Sequence, residues 1–140
     1  PLFFFQADDG IRPVERSGGL GDVYKIQLLC SVGHALGQPV IDLVFLGMGE
    51  DAHVASLFPG DAEALESDAV YRAVTGPKPP PRRVTLGYSA LAASREVWVL
   101  ASGLGKAGAL RDSLDVDSDT PLGRVLQSRE RTEIFTDYEV

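Results

Sequence analysis

Two short runs limit the architecture more than anything else in the chain: "IDLVFLG" at 41–47 and "VWVLA" at 97–101. Each is apolar at nearly every position and rich in β-branched or aromatic residues, and a glycine turn follows each. A strand written this way is buried on both faces, as strands of a parallel sheet are. The strand set predicted from such runs is Leu2–Phe5, Val40–Leu46, Val84–Gly87, Val97–Ala101 and Ile134–Phe135. Helical patterns alternate with them over Asp22–Leu36, Ser89–Ala93, Lys106–Leu114 and Pro121–Gln127, the first with Val23, Ile26, Leu29 and Leu36 along one stripe. That alternation predicts an α/β fold. The segment "TGPKPPPRR" at 75–83 is neither helix nor central strand, because its prolines lack the N–H donor and fix φ. It reads as a stiff connector that delivers basic residues to the start of a strand.

At 140 residues the chain has the size of a single domain, 1–140, with apolar content for one core. Its net charge of −7 and pI near 4.7 repel a phosphate backbone over most of the surface, so nucleic acid is not an expected partner. An anionic ligand must instead be met by a local basic cluster. No apolar run reaches the length needed to span a bilayer, and no basic segment precedes the first apolar stretch; neither membrane anchor nor signal peptide is expected. The single cysteine, Cys30, sits in an apolar helical stretch as core filler and fits a reducing, cytoplasmic setting. With only His34 and His53 beside it, a zinc site would be short of ligands, and no metal is expected. A parallel sheet this short leaves strand edges to cover, which points to a homo-oligomer or a complementing N-terminal segment.

Three stretches carry chemistry. In "LGMGEDAHVASLFPG" at 46–60, Gly47-Met48-Gly49-Glu50-Asp51-Ala52 fits the G-x-G-x-x-A spacing of dinucleotide binding. Two carboxylates would then occupy the turn meant for pyrophosphate, and Pro59-Gly60 would end the helix almost at once, so the fit is poor. Read as catalytic, the same stretch offers His53, whose imidazole can take and return a proton near neutrality, with Asp51 and Glu50 to support the ring. Backbone N–H groups of the turn at Gly47 and Gly49 can stabilise an oxyanion. The plain alternative is a strand-to-helix connection whose polar residues face water. "PKPPPRRVTL" at 77–86 brings Lys78, Arg82 and Arg83 to a strand, where an arginine on rigid backbone can grip a phosphate, or simply face solvent. "ASGLGKAGAL" at 101–110 sets Lys106 near a helix N-terminus, a poor place for a cation unless an anion binds there.

Taken in order, these stretches resemble the 6-phosphogluconolactonase family, relatives of the glucosamine-6-phosphate isomerases/deaminases. "DLVFLGMGEDAHVASLFPG" at 42–60 resembles the family's signature, "PKPPPRRVTL" its second motif, "VWVLASGLGKAGAL" at 97–110 its third, and "PLGRVLQSRERTEIFTD" at 121–137 its C-terminus. The resemblance implies a Rossmann-like, mostly parallel sheet flanked by helices, incomplete relative to the family, whose members carry an N-terminal part with a Ser-Gly-Gly phosphate loop. Ser17-Gly18-Gly19 lies too close to the Val40–Leu46 strand to replace it and reads as a helix-entry turn. The implied activity is hydrolysis of 6-phospho-D-glucono-1,5-lactone, a phosphorylated sugar lactone, in the oxidative pentose phosphate pathway, with no cofactor. His53 would activate water with Asp51 in support, and Arg83 and Lys106 would bind the phosphate. The deaminase branch places a glutamate five residues after the histidine; Phe58 stands here and cannot move protons. A truncated, non-catalytic sugar-phosphate binder is the alternative. The family usually has glycine where Ala52 stands, so a positive φ there would strain alanine by roughly 1 kcal/mol.

Overall fold

The computed structural model describes residues 2–5, 34, 35, 37–77, 79 and 81–140. Along the chain they form β1 (Leu2–Phe5), β2 (His34–Ala35), β3 (Gln38–Pro39), β4 (Leu43–Gly47), α1 (Ala62–Glu66), β5 (Tyr71–Thr75) and β6 (Arg82–Leu86). Then come α2 (Tyr88–Ala93), β7 (Glu96–Ala101), a 3₁₀ turn at Leu104–Lys106, α3 (Ala107–Ser113), α4 (Pro121–Gln127) and β8 (Glu133–Thr136). Four strands pair in the order β1-β4-β7-β8, all parallel. Two antiparallel pairs, β2 with β3 and β5 with β6, stand apart from that sheet. This is the mostly parallel α/β arrangement expected.

The register explains where the core sits. Val44 is paired with Val97, and Leu46 with Val99 and, across it, Ile134. Because alternate residues share a face, these side chains form one apolar surface; the β4 and β7 members are fully buried, together with Leu91 of α2, Leu110 of α3 and Leu122 and Val125 of α4. The opposite face carries Phe45, Trp98 and Phe135, stacked edge-on or tilted at centroid distances of 5.4 and 5.3 Å. Phe135 and Leu100 remain 44% and 47% exposed there while Phe45 and Trp98 are half-buried, so β4 and β7 are fully enclosed on one face and only partly covered on the other. The continuous apolar run gave both faces the same weight, whereas packing separates them.

The helices begin where side chains satisfy their first amides. Asp61 accepts from Ala64 N at 3.0 Å to start α1, and Thr120 accepts from Gly123 N at 3.0 Å to start α4, whose first residue is Pro121. Arg129, leaving α4, donates to the carbonyls of Leu91, Ala92 and Ser94 at the end of α2 and so ties these two helices together.

Several expectations shift. The helix expected over Asp22–Leu36 falls, with Cys30 and Ser17-Gly18-Gly19, outside the described residues up to position 33; His34–Ala35 is strand, paired across a turn through Gly37. The Val40–Leu46 strand starts later, at Leu43, because its partners β1 and β7 begin opposite that residue, at Leu2 and Glu96. The proline segment is the loop of the β5–β6 hairpin, closed by Gly76 N on Pro81 O at 2.7 Å, and β6 begins at Arg82. Lys78 lies outside the described residues.

Candidate functional site

Parallel neighbours β4 and β7 end at the same edge of the sheet, and the loops that follow them form the site, as expected at the carboxyl edge of an α/β sheet. After β4 the chain does not enter a helix. It folds into consecutive tight turns over 48–58: Ala52 N donates to Gly49 O at 3.1 Å, Gly49 N to His53 O at 2.9 Å, and Leu57 N to Val54 O at 2.9 Å. Leu122 N at the start of α4 closes on Ala52 O at 3.2 Å. Residues 52–57 are all buried, which leaves no room for a pyrophosphate on a helix end. Burial of the loop comes from Val54 and Leu57, both wholly enclosed in the core.

The price of these turns is backbone strain. Ala52 has φ +61° and Ala55 φ +53°, in the left-handed region where an alanine costs about 1–2 kcal/mol. The concern raised by alanine at position 52 is therefore real. What the strain secures is His53, which is 9% exposed. Its Nδ1 is hydrogen-bonded directly to Asp51 Oδ1, and its own amide donates to the same oxygen at 3.3 Å. Gly49 is required by close approach, since a Cβ there would overlap the imidazole and come within 2.7 Å of Asp51 Oδ1.

The protonation pattern follows from Asp51. Burial pushes its carboxyl up, but the side-chain hydrogen bond, charge and amide of His53 together outweigh burial and hold it below its ordinary value. An ionised carboxylate only accepts, so Nδ1 must carry the proton. In the neutral ring Nε2 then presents a lone pair. Nε2 is buried and has no hydrogen-bond partner among the described residues, and an unprotonated ring nitrogen can accept a proton.

The His53 ring has an aromatic neighbour that also carries a cation. The Phe58 ring lies 5.0 Å from the His53 ring, tilted by 40°, and the Arg83 guanidinium carbon sits 5.5 Å from the centre of the same ring. Gly76 of the hairpin lies beneath them: a Cβ there would meet Arg83 Nε at 3.0 Å and Phe58 Cε2 at 3.2 Å. Nearby, an open groove of about 440 Å³ runs along Phe58 and β5. Its arginine, Arg72, is committed to Asp61 at 3.0 Å and Glu63 at 3.7 Å, so it is poorly suited to a phosphate.

The turn after β7 leaves the same edge of the sheet. Asp137, just past β8, accepts from Ser102 Oγ at 2.7 Å and from Gly103 N at 2.9 Å. Gly103 has φ +96°, open to glycine alone at no steric cost. The two hydrogen bonds and the nearby Lys106 charge hold the exposed Asp137 carboxyl below its ordinary value. Glu50 leans onto this turn, where a Cβ on Gly105 would meet its carboxylate at 2.8 Å. Lys106 ends the 3₁₀ turn and stands just before α3, at the helix start expected for it, without a capping hydrogen bond from its side chain.

The structure thus joins His53 to Asp51 directly and to Arg83 through Phe58, while Lys106 belongs to the neighbouring turn. Gly47 completes β4 opposite Leu100, and Gly49 uses its amide inside the loop. Sequence reasoning missed the ring contacts of Phe58, whose only reading was what it could not do, and the latch made by Asp137, which lay unremarked at the end of the C-terminal stretch.

A family model described as glucosamine-6-phosphate isomerases/6-phosphogluconolactonase matches residues 23–134. The chain belongs to this family. The 6-phosphogluconolactonase of Mycobacterium tuberculosis is 47% identical over 88 residues, which are 62% of this chain and 36% of the relative. The human 6-phosphogluconolactonase is 42% identical over 89 residues, 63% of this chain and 34% of the relative. The solved 6-phosphogluconolactonase of Trypanosoma brucei superposes with a TM-score of 0.69 at 30% identity, covering 82% of this chain and 49% of that one. The chain therefore spans about a third of the length of the curated relatives it matches, and about half of that solved relative. Among the described residues no helix is long and apolar enough to cross a membrane.

Proposed function

We propose that the site serves hydrolysis of 6-phospho-D-glucono-1,5-lactone to 6-phospho-D-gluconate. The single observation that carries this reading is the buried, unpartnered Nε2 of His53 on a ring whose Nδ1 is held by Asp51. Water attacking the lactone carbonyl gives its proton to Nε2, and the imidazolium that forms is stabilised by the Asp51 carboxylate. As the tetrahedral intermediate collapses, the bond from the carbonyl carbon to the ring oxygen breaks and Nε2–H protonates that oxygen. Arg83, over Phe58, and Lys106, in the turn after β7, are the groups proposed to hold the distant phosphate, so that its binding energy positions the carbonyl. Hydrolysis of this kind makes no demand on Phe58 as a proton carrier, and the apolar ring is compatible with it. A cytoplasmic setting is part of the same proposal and rests on the single cysteine.

The test is hydrolysis of freshly generated 6-phosphogluconolactone, with the spontaneous reaction subtracted, for the chain and for His53→Ala. A rate in the parent that the variant loses by about 10²–10⁴-fold supports the reading. An equal rate in both would remove His53 from the chemistry; no rate in the parent would favour a sugar-phosphate binder without catalysis.

A further inference from the structure

The base and the arginine of this site stand on different elements: His53 on the loop after β4 and Arg83 on β6 of a separate antiparallel hairpin. One side chain touches both. Phe58 meets the imidazole at 5.0 Å between ring centres and the Arg83 guanidinium at 5.5 Å, and its edge lies over Gly76, where a Cβ would stand 3.2 Å from Cε2. The ring is half-buried, and the loop that carries it is closed by Leu57 N on Val54 O on one side and Asp61 N on Phe58 O at 3.3 Å on the other. These bonds hold its backbone, and the seat of the ring is set by the imidazole and the guanidinium it touches.

We propose that Phe58 is a positioning residue that couples the orientation of the His53 ring to the occupancy and placement of the Arg83 guanidinium. The physical basis is the quadrupole of the ring: its face attracts the cation and its body packs against the imidazole. A phosphate gripped by Arg83 draws on the same guanidinium, so the seat of the ring, and with it the line from Nε2 to the substrate carbonyl, responds to whether the anion is bound. The hydrolytic consequence rests on the lactonase reading above; the coupling itself does not.

A double-mutant cycle tests it. Arg83→Ala, Phe58→Leu and the double variant are compared with the parent in two readouts: the NMR signals of the His53 ring, and kcat and KM for the lactone. Arg83→Ala is expected to move the His53 ring signals and to lower kcat as well as raise KM in the parent, and to leave a clearly smaller effect on both His53 signals and kcat once Phe58 is leucine. Phe58→Tyr, which keeps the ring, should preserve the full response to Arg83→Ala. Additive effects in the cycle, or His53 signals unmoved by Arg83→Ala in the parent, overturn the coupling; the second criterion holds even if Phe58→Leu does not fold. Absence of turnover in the parent would sink the lactonase reading alone, because the ring signals still decide the coupling.

Discussion

The loop after β4 and the turn after β7 leave the same edge of the sheet, and both are punctuated by glycine, yet they are built in opposite ways. The first is buried from Ala52 to Leu57, strained at two alanines and closed by its own amides around His53. The second is exposed at 102–105, takes its positive φ at a glycine, and is held from outside by Asp137. A group that must aim at a reacting atom needs the first kind of support, since small misplacements there are costly. Lys106, the cation proposed for a remote phosphate, tolerates the second. The difference predicts that changes in the β4 loop act on kcat, and changes in the β7 turn act on KM.

The largest effect expected from breaking this division, apart from loss of His53 itself, is Gly49→Ala. Its Cβ overlaps the imidazole, so kcat for the lactone should fall by about 10²-fold while the affinity for the product, 6-phosphogluconate, stays near the parent value. An equal loss of both would mean that the loop is not a separate support for the base.

How far the division was legible in the sequence follows the range of the contacts. Helix α4 was read at its true bounds because Thr120, Pro121 and the apolar stripe after them are local signals. The centres of β4 and β7 were equally plain. Helix α1, five residues long with Ala64 as its buried residue, and β5, whose Tyr71-Arg72-Ala73-Val74-Thr75 mixes polar and apolar positions, carry too little pattern to be seen. His53 and Asp51 are two residues apart, so their pairing could be expected from the motif. The Phe58–Arg83 and Gly103–Asp137 contacts join residues 25 and 34 positions apart, set by strand register that no local pattern records.

A smaller effect is expected in the exposed turn. Asp137→Asn should raise KM about two- to fivefold with kcat little changed, the scale of an exposed charge interaction. The sign with pH is fixed by the lowered carboxyl: its contribution to the fold is fully present above the ordinary value of 3.8 and is lost as pH falls through the lower folded value. Melting curves of parent and variant should therefore differ by a constant amount above that pH and converge below it; convergence at neutral pH would show the latch to be inert.

The smallest effect sharpens the comparison. At Ala52 the relief of left-handed strain by glycine is offset by the loss of a buried methyl and by a more flexible unfolded chain, so Ala52→Gly should change stability by less than about 1 kcal/mol. Ala52→Val, branched at Cβ in the same φ region, should destabilise by more than about 2 kcal/mol in thermal or urea unfolding. Equal tolerance of both would mean that the turn is not strained as described.

The measurement that bears most directly on the whole account is the nitrogen NMR of the His53 ring at neutral pH, read through long-range couplings to its carbon-bound protons. A protonated Nδ1 facing Asp51 and an unprotonated Nε2 is the state this site is built to hold. A ring protonated at Nε2 alone would leave no base aimed at water, and would contradict the account.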